Sequence, residues 1–551
     1  MYKAALQKPN SVMTLSKSIE CRTDPVMLLK ALSNNYNATN KMLLESCEID
    51  NKQKLKSILM NRAALRIECQ KQQVSITALT NNGENALTYL ATQLNSEMQF
   101  DHSSNLNSNS RPQIIVEYLS PSEQLSGEEV DEETRLKQVT PIDCLRKIHL
   151  AFHSQSNHPS AVFLCGLFSF DFIASFENLP EVPNGDNDCA DYVFYLAEEL
   201  VVFDHQSQRA NICGNVFSGE NSENNYFEQS RRIEQISTVI SKLGQSECQS
   251  KFTSEIKNSE VHCDLSDEEY GKTVDKLKKQ IIAGNIFQVV PSRTFTIPCL
   301  DNLLSYQHLK ETNPSPYMFY MQDEKFTLFG ASPESALKYE KSNNKVELYP
   351  IAGTRPRGKY PDGKIDHDLD KRLEAELKQD QKEIAEHMML VDLARNDIAR
   401  ISNNESQKIP RFLEIDRYSQ VMHLVSCVQG ELKSDLDCFH AYQACMNMGT
   451  LTGAPKIKAT ELIRQVEKKR RGSYGGAVGY INSTGDMDTC IVIRSAFCKN
   501  GKAHIQAGAG IVFDSQPKLE AAETRAKANA VIFAIQQANH SITKNEGLAN
   551  E

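Results

Sequence analysis

The chain has 551 residues, a formal net charge of -10 and a 40% hydrophobic composition, enough apolar side chains for two or three ordinary domains or one large core. The acidic balance argues against nucleic acid or an anionic membrane as partner, and no apolar run approaches the roughly 18 residues needed to cross a bilayer. Fifteen cysteines are scattered without a C-x-x-C pair, and the first twenty residues lack the apolar centre of a signal peptide, so a reducing cytoplasm is expected.

Segment 101–140 opens on D-H-S-S-N-L-N-S-N-S and runs into E-E-V-D-E-E, which reads as an exposed loop insertion. A second polar stretch, 218–260, holds one short helical pattern and is the expected linker between an amino-terminal region (1–217) and a carboxy-terminal region (261–540), with 541–551 left as a tail. Ser266 and Glu269 form a capping box that starts a helix of about four turns, ending near Gly284. The runs F-T-L-F-G-A-S, K-V-E-L-Y-P-I-A, G-G-A-V-G-Y-I, D-T-C-I-V-I-R-S-A-F and A-H-I-Q-A-G-A-G-I-V-F are β-rich and bounded by turn residues, as in an antiparallel sheet. Leu369, Leu373, Leu377, Ile384, Met388 and Val391 recur at helical spacing and predict one long helix over 366–394. Asp514, Ser515 and Pro517 mark the start of the last helix.

Glu383 and Glu386 lie three apart on the predicted long helix, and Glu520 and Glu523 repeat that spacing on the last one. One carboxylate from each helix, completed by water and substrate, suits Mg²⁺, although glutamates three apart more often sit on a solvated face. The turn 353–357, G-T-R-P-R, is rigid and cationic, as a small polyanion requires. Gly508, Ala509 and Gly510 end a strand with small residues that permit close backbone approach, or else form a bulge. Gly449 to Lys456 has the wrong glycine spacing for a phosphate loop, and no H-E-x-x-H, G-x-S-x-G or zinc-type cysteine cluster is present.

Taken in order, G-N-I-F-Q-V-V-P-S-R (284–293), N-P-S-P-Y-M-F-Y (313–320), A-S-P-E-S (331–335), P-I-A-G-T-R-P-R-G (350–358), E-I-A-E-H-M-M-L-V-D-L-A-R-N-D (383–397) and G-A-G-I-V (508–512) resemble the chorismate-utilising enzymes, most nearly their anthranilate-forming members. In the first half, L-L-E-S (43–46) and G-L-F-S-F-D (166–171) extend the likeness to nearly the whole chain. The resemblance implies an α+β fold in which large antiparallel β-sheets pack as a sandwich with helices outside. It implies Mg²⁺ on Glu386 and Glu523, with Glu383 and Glu520 behind them acting through water. It places Gly353, Thr354, Tyr474, Arg494 and the backbone of Gly508, Ala509 and Gly510 around chorismate, and makes Glu334, His423, Gln288 and Thr450 the catalytic set.

The implied reaction adds ammonia to chorismate at ring C2 with loss of the C4 hydroxyl, then eliminates pyruvate to leave anthranilate, the first committed step towards tryptophan. Glu334 would be the general acid for the hydroxyl and His423 would serve the second step. Relatives that use water carry a lysine where Gln288 stands, and relatives that attack with a lysine amine carry it in place of Ala352. This chain has neither. No amidotransferase nucleophile motif is present, so the resemblance implies a separate glutamine amidotransferase subunit, two of each in a heterotetramer. Ser46, Pro316, Tyr317 and Met318 resemble the family's inhibitory tryptophan site. The alternatives are a 2-amino-2-deoxyisochorismate synthase, which stops before pyruvate loss, and a catalytically silent tryptophan-binding subunit.

Overall fold

The structure, a computed structural model, describes residues 8–35, 39–46, 56–94, 111–120, 131–154, 157–244, 260–418 and 421–549. Two long strands organise it. Lys56–Gln70 pairs along its length with Tyr192–Asp204, and the register slips between Met60 and Leu65, as where a bulge bends a strand. On one side of that bend the pair continues one sheet, and on the other side a second.

The first sheet runs from Ser292–Pro298 through Lys502–Gly508, Ser495–Lys499, Thr327–Ser332, Tyr317–Gln322 and Lys41–Glu45 to the long pair, then on to Arg209–Phe217 and Ser11–Glu20. The second passes from the long pair through Leu164–Phe168, Ala477–Ile481, Met487–Ile491, Ser335–Glu340 and Lys345–Leu348 to Val421–Glu431, which also carries Ile351–Pro356 and Lys408–Arg417. All these pairings are antiparallel.

Alternation along each strand gives both faces an apolar set. Met42, Met60, Leu167, Phe319, Leu328 and Val478 meet between the sheets as the filling of a sandwich. Helices Pro25–Asn35, Ser222–Leu243, Asn302–Thr312 and Pro517–Ala549 cover the outer face of the first sheet. Helices Asn81–Leu94, Ile142–Ala151, Gln381–Ile401 and Cys438–Cys445 cover the second. This is the expected α+β sandwich with helices outside.

Some details refine or correct expectation. The helical pattern within 218–260 is the helix Ser222–Leu243, which buries Ile233, Ile236 and Ile240 against the sheet, while 245–259 lie outside the described residues. The two halves share both sheets, since Lys41–Glu45 pairs with Tyr317–Gln322 and Leu164–Phe168 with Ala477–Ile481. Within the expected loop 101–140, Gln113–Glu117 adds an edge strand beside Gln73–Ala78 and Glu132–Leu136 is a short helix; 101–110 and 121–130 lie outside the described residues. The Ser266 capping box forms as read, and the last helix starts at Pro517.

The long helix predicted over 366–394 is two, His367–Gln379 and Gln381–Ile401, because Asp380 leaves helical geometry and caps the second by accepting from the N–H groups of Lys382 and Glu383. The apolar period continues across the break, which is why periodicity alone missed it. Asp380→Ala should lower stability by about 1 kcal/mol in urea unfolding, whereas Asp380→Asn, which keeps the capping oxygen, should lose little; equal loss in both would mean that the cap is not what the carboxylate contributes.

Candidate active site

A cavity of about 570 Å³ opens between the second sheet, helix Gln381–Ile401 and the first turns of helix Pro517–Ala549. Gln288, Glu334, Gly353, Thr354, Glu383, Glu386, His423, Thr450, Tyr474, Arg494, Gly508, Gly510, Glu520 and Glu523 all line it. Ala509 does not: its methyl is buried in the apolar cluster beneath, and its N–H donates to the Pro291 carbonyl at 3.3 Å.

Glu334 follows strand Thr327–Ser332 at a point where the chain turns in, and its carboxyl is buried. Thr450 Oγ1 donates to its Oε1 at 3.0 Å. Burial pushes this carboxyl up to about 8, against the smaller opposing pull of Thr450 and the Lys527 charge. It is therefore protonated at neutral pH and can donate.

His423 owes its place to a bulge. Ala352 pairs with Leu424 and Thr354 with His423, leaving Gly353 unpaired at φ +78, a conformation that favours glycine. The Gly353 carbonyl lies 3.2 Å from His423 Nδ1, and Thr354 Oγ1 lies 2.9 Å from it. A carbonyl can only accept, so Nδ1 carries the proton and Nε2 keeps its lone pair. Burial pushes the imidazole down to about 4; the Gly353 hydrogen bond opposes this, and the Arg494 and Lys527 charges add to it. The ring is neutral at physiological pH.

The four glutamates form an acidic wall. Burial first, then repulsion from Glu383 and Glu523, raises Glu386 to about 7, and burial likewise raises Glu520. Gly510 has no Cβ, which would otherwise stand 2.6 Å from Gln288 Nε2 and 3.3 Å from Glu386 Oε1. Gln288 Nε2 donates to Glu386 Oε1 at 3.2 Å, and its buried Oε1 has no hydrogen-bond partner. Among the described residues no group of three or more His, Cys, Asp or Glu side chains could close round a metal unaided. Repelling carboxylates that reach one cavity from two helices still fit a hard divalent cation whose remaining shell is water and substrate.

The two arginines of the cationic turn are spent on neighbouring carboxylates. Arg355 pairs with Asp380 at 2.7 Å and Glu383 at 3.3 Å, and Arg357 with Asp370 at 2.8 Å and the Tyr418 carbonyl. Arg471 is likewise spent on Glu467 and the carbonyls of Leu451 and Val290. The cations facing the cavity are Arg494, placed by a left-handed φ of 50 between two strands, and two residues the sequence reading missed, Lys382 and Lys527. Lys527 was legible in principle, because it lies four residues after Glu523 and bonds to it at 2.7 Å, while also donating to the Gly508 carbonyl.

The expected effector residues also converge. Glu45 pairs with Met318 across the sheet, which sets Ser46 and Tyr317 one residue further on either strand; Pro316 and Met318 are buried and Tyr317 donates to Asp488 at 3.1 Å. Residues 47–55, which follow Ser46, lie outside the described residues.

Residues 102–533 match the chorismate binding enzyme family. The chain belongs to the chorismate binding enzymes. It is 49% identical over 540 residues to anthranilate synthase component 1 of Vibrio parahaemolyticus, covering 97% of this chain and 95% of that one. It is 47% identical over 520 residues to the protein of that name from Escherichia coli, covering 94% and 96%. Among solved structures, anthranilate synthase component I of Streptococcus pneumoniae aligns with a TM-score of 0.64 at 28% identity, over 88% of this chain and 95% of that one. The menaquinone-specific isochorismate synthase of Escherichia coli, at 15% identity and TM-score 0.56, shares the fold.

Glu334 yields a prediction with two readouts. An ordinary carboxyl ionises near 4.5, so the unfolded chain loses this proton at lower pH than the folded one, and the cost of burying the group grows from pH 4.5 to about 8. Glu334→Gln should therefore abolish turnover of chorismate while stabilising the fold by roughly 3 kcal/mol at pH 7 and by little at pH 4. Thermal unfolding at the two pH values checks it; equal shifts at both would contradict a buried, protonated acid.

Proposed function

We propose that the chain is the chorismate-binding component that forms anthranilate and pyruvate from chorismate and ammonia. The observation that carries this reading is a single cavity holding a protonated carboxyl, a neutral imidazole and an acidic wall, each kept in that state by burial or neighbours.

Arg494 and Lys527 are suited to the carboxylates of the substrate. Mg²⁺ bound by Glu386 and Glu523, with Glu383 and Glu520 behind, would supply positive charge against the ring carboxylate. The unpartnered Gln288 Oε1 can accept a hydrogen from ammonia and aim its lone pair at the ring. As nitrogen bonds to C2 and the ring double bonds shift, Glu334 gives its proton to the C4 hydroxyl, which leaves as water, and the proton then lost by the new ammonium restores Glu334. His423 Nε2 then takes the proton from C2, the ring C3–O bond breaks as the ring becomes aromatic, and the released enolate takes that proton back at its methylene carbon to become pyruvate. Ala352 offers a methyl rather than an amine, and Gln288 is no base for water, so ammonia itself is the nucleophile.

Most free ammonia is protonated at neutral pH, which favours a glutamine-hydrolysing partner subunit; we assign a heterotetramer with two of each. The described cysteines are free, in keeping with a reducing cytoplasm, and among the described residues no helix is long and apolar enough to cross a membrane. Tryptophan is the effector expected at Ser46, Pro316, Tyr317 and Met318, a place built from both halves of the chain.

The purified chain with chorismate, Mg²⁺ and an ammonium salt should produce anthranilate fluorescence and pyruvate. The aminated intermediate accumulating without anthranilate would favour the shorter reaction, and no conversion at all would sink the proposal. Chelation should abolish the rate and added Mg²⁺ restore it. Corrected for the free ammonia present, the rate should fall as pH rises through about 8, where Glu334 loses its proton. Ser46→Leu should relieve tryptophan inhibition and leave uninhibited turnover nearly unchanged; equal inhibition of variant and parent would remove the effector assignment.

A further inference from the structure

The imidazole that follows Glu386 takes no part in the chemistry above. His387 is fully buried, and four residues after Glu383 it shares a face of helix Gln381–Ile401 with that glutamate. Its Nε2 lies 2.7 Å from Ser426 Oγ on strand Val421–Glu431. Ser426 is committed twice more: its hydroxyl oxygen accepts from the Leu413 N–H at 3.1 Å, and its own N–H donates to the Pro350 carbonyl at 3.2 Å. One buried serine thus joins the helix, strand Lys408–Arg417 and the entry to strand Ile351–Pro356. The second ring nitrogen, Nδ1, is buried without a hydrogen-bond partner. Burial pushes the imidazole down to about 4, and the opposing pull comes from the Ala352 carbonyl, which therefore stands beside the ring.

An apolar side chain would pack in this helix–sheet contact without the cost of burying a polar ring. What the hydrogen bond adds is register, because apolar faces can slide over one another whereas a directional bond holds one residue against another. The groups so held lie on opposite walls of the catalytic cavity, Glu383 and Glu386 on the helix side and Ala352, Gly353 and Thr354 on the sheet side. The walls meet closely, since a Cβ on Gly353 would stand 3.2 Å from Glu383 Oε2. Arg355 ties them at the outer end through Asp380 and Glu383, and His387 ties them at the buried end. Resting on the function proposed above, we propose that His387 is a positioning residue for the divalent cation: through Ser426 it holds the helical turn 383–386 in register with the segment 352–354. The ring does not line the cavity. It acts through the residues on either side, by setting how far the carboxylates stand from the groups placed round the substrate.

The test compares His387→Leu, His387→Gln and Ser426→Ala in the full chain, with Mn²⁺ as the probe and its electron paramagnetic resonance signal as a readout independent of turnover. His387→Leu and Ser426→Ala should each weaken Mn²⁺ binding by about tenfold, the scale on which groups that orient metal ligands act. Each should raise the Mg²⁺ needed for half-maximal rate by the same factor, while kcat at saturating Mg²⁺ and chorismate stays within about threefold of the parent. His387→Gln, whose amide can still reach Ser426 Oγ, should bind Mn²⁺ within about twofold of the parent. The variant carrying both His387→Leu and Ser426→Ala should lose no more than the weaker-binding single variant, because both changes remove one interaction. Parental Mn²⁺ affinity in folded His387→Leu or Ser426→Ala protein would overturn the proposal. So would additive losses, or a His387→Gln loss equal to that of His387→Leu, either of which would make the ring a packing element alone. If His387→Leu does not fold, Ser426→Ala, which removes a single oxygen, carries the same test. A parent that binds Mn²⁺ with this dependence yet makes no anthranilate would defeat the proposed function and leave the positioning role standing. A parent that makes anthranilate but binds no Mn²⁺ would overturn the positioning role and leave the reaction intact.

Discussion

Mutual repulsion among Glu383, Glu386, Glu520 and Glu523 is the constraint on which the site depends. Carboxylates left to themselves would turn to solvent, as glutamates at this spacing on an open helix do. Here the two helices are pinned across a cavity by apolar faces buried in different layers, and the Asp380 cap of one and the proline that opens the other fix where each first turn begins. Burial, with that repulsion added, raises Glu386, and the crowding of carboxylates makes the wall receptive to positive charge.

The same enclosure sets the two proton carriers apart. Burial moves a carboxyl up and an imidazole down, so one dry cavity leaves Glu334 protonated and His423 neutral without a charged partner for either. Each is oriented by a neighbour that commits one of its atoms: Thr450 takes Glu334 Oε1, and Gly353 with Thr354 takes His423 Nδ1. The atoms left over are the ones that the chemistry uses.

The interleaved sheets bear on regulation as well as on stability. Tyr317, among the expected effector residues, pairs with Ser332, and Ser332 Oγ bonds to both the N–H and the carbonyl of Glu334. Glu334, the proposed general acid, thus lies two residues past the end of the strand that neighbours the proposed effector segment. A shift at that sheet edge reaches the acid through backbone pairing rather than through a chain of mobile loops.

Much of this was legible in the sequence, and the misses have physical causes. Caps such as Ser266, strand runs bounded by glycine and proline, and the paired glutamates are local signals, and ordered motifs fixed the family resemblance. The helix break at Asp380 was hidden because the apolar period survives it. The arginines of the turn 353–357 were misassigned because charge is visible in sequence while its partner is not: Asp380, Glu383 and Asp370 come to them from the following helices. Sequence by itself determined which chemical groups the chain owns and which lie on one helix face, since both depend only on residue type and local spacing. Tertiary structure decided which cations remain available and which carboxyl keeps its proton, because pairing and desolvation are set by distances between segments far apart in the chain.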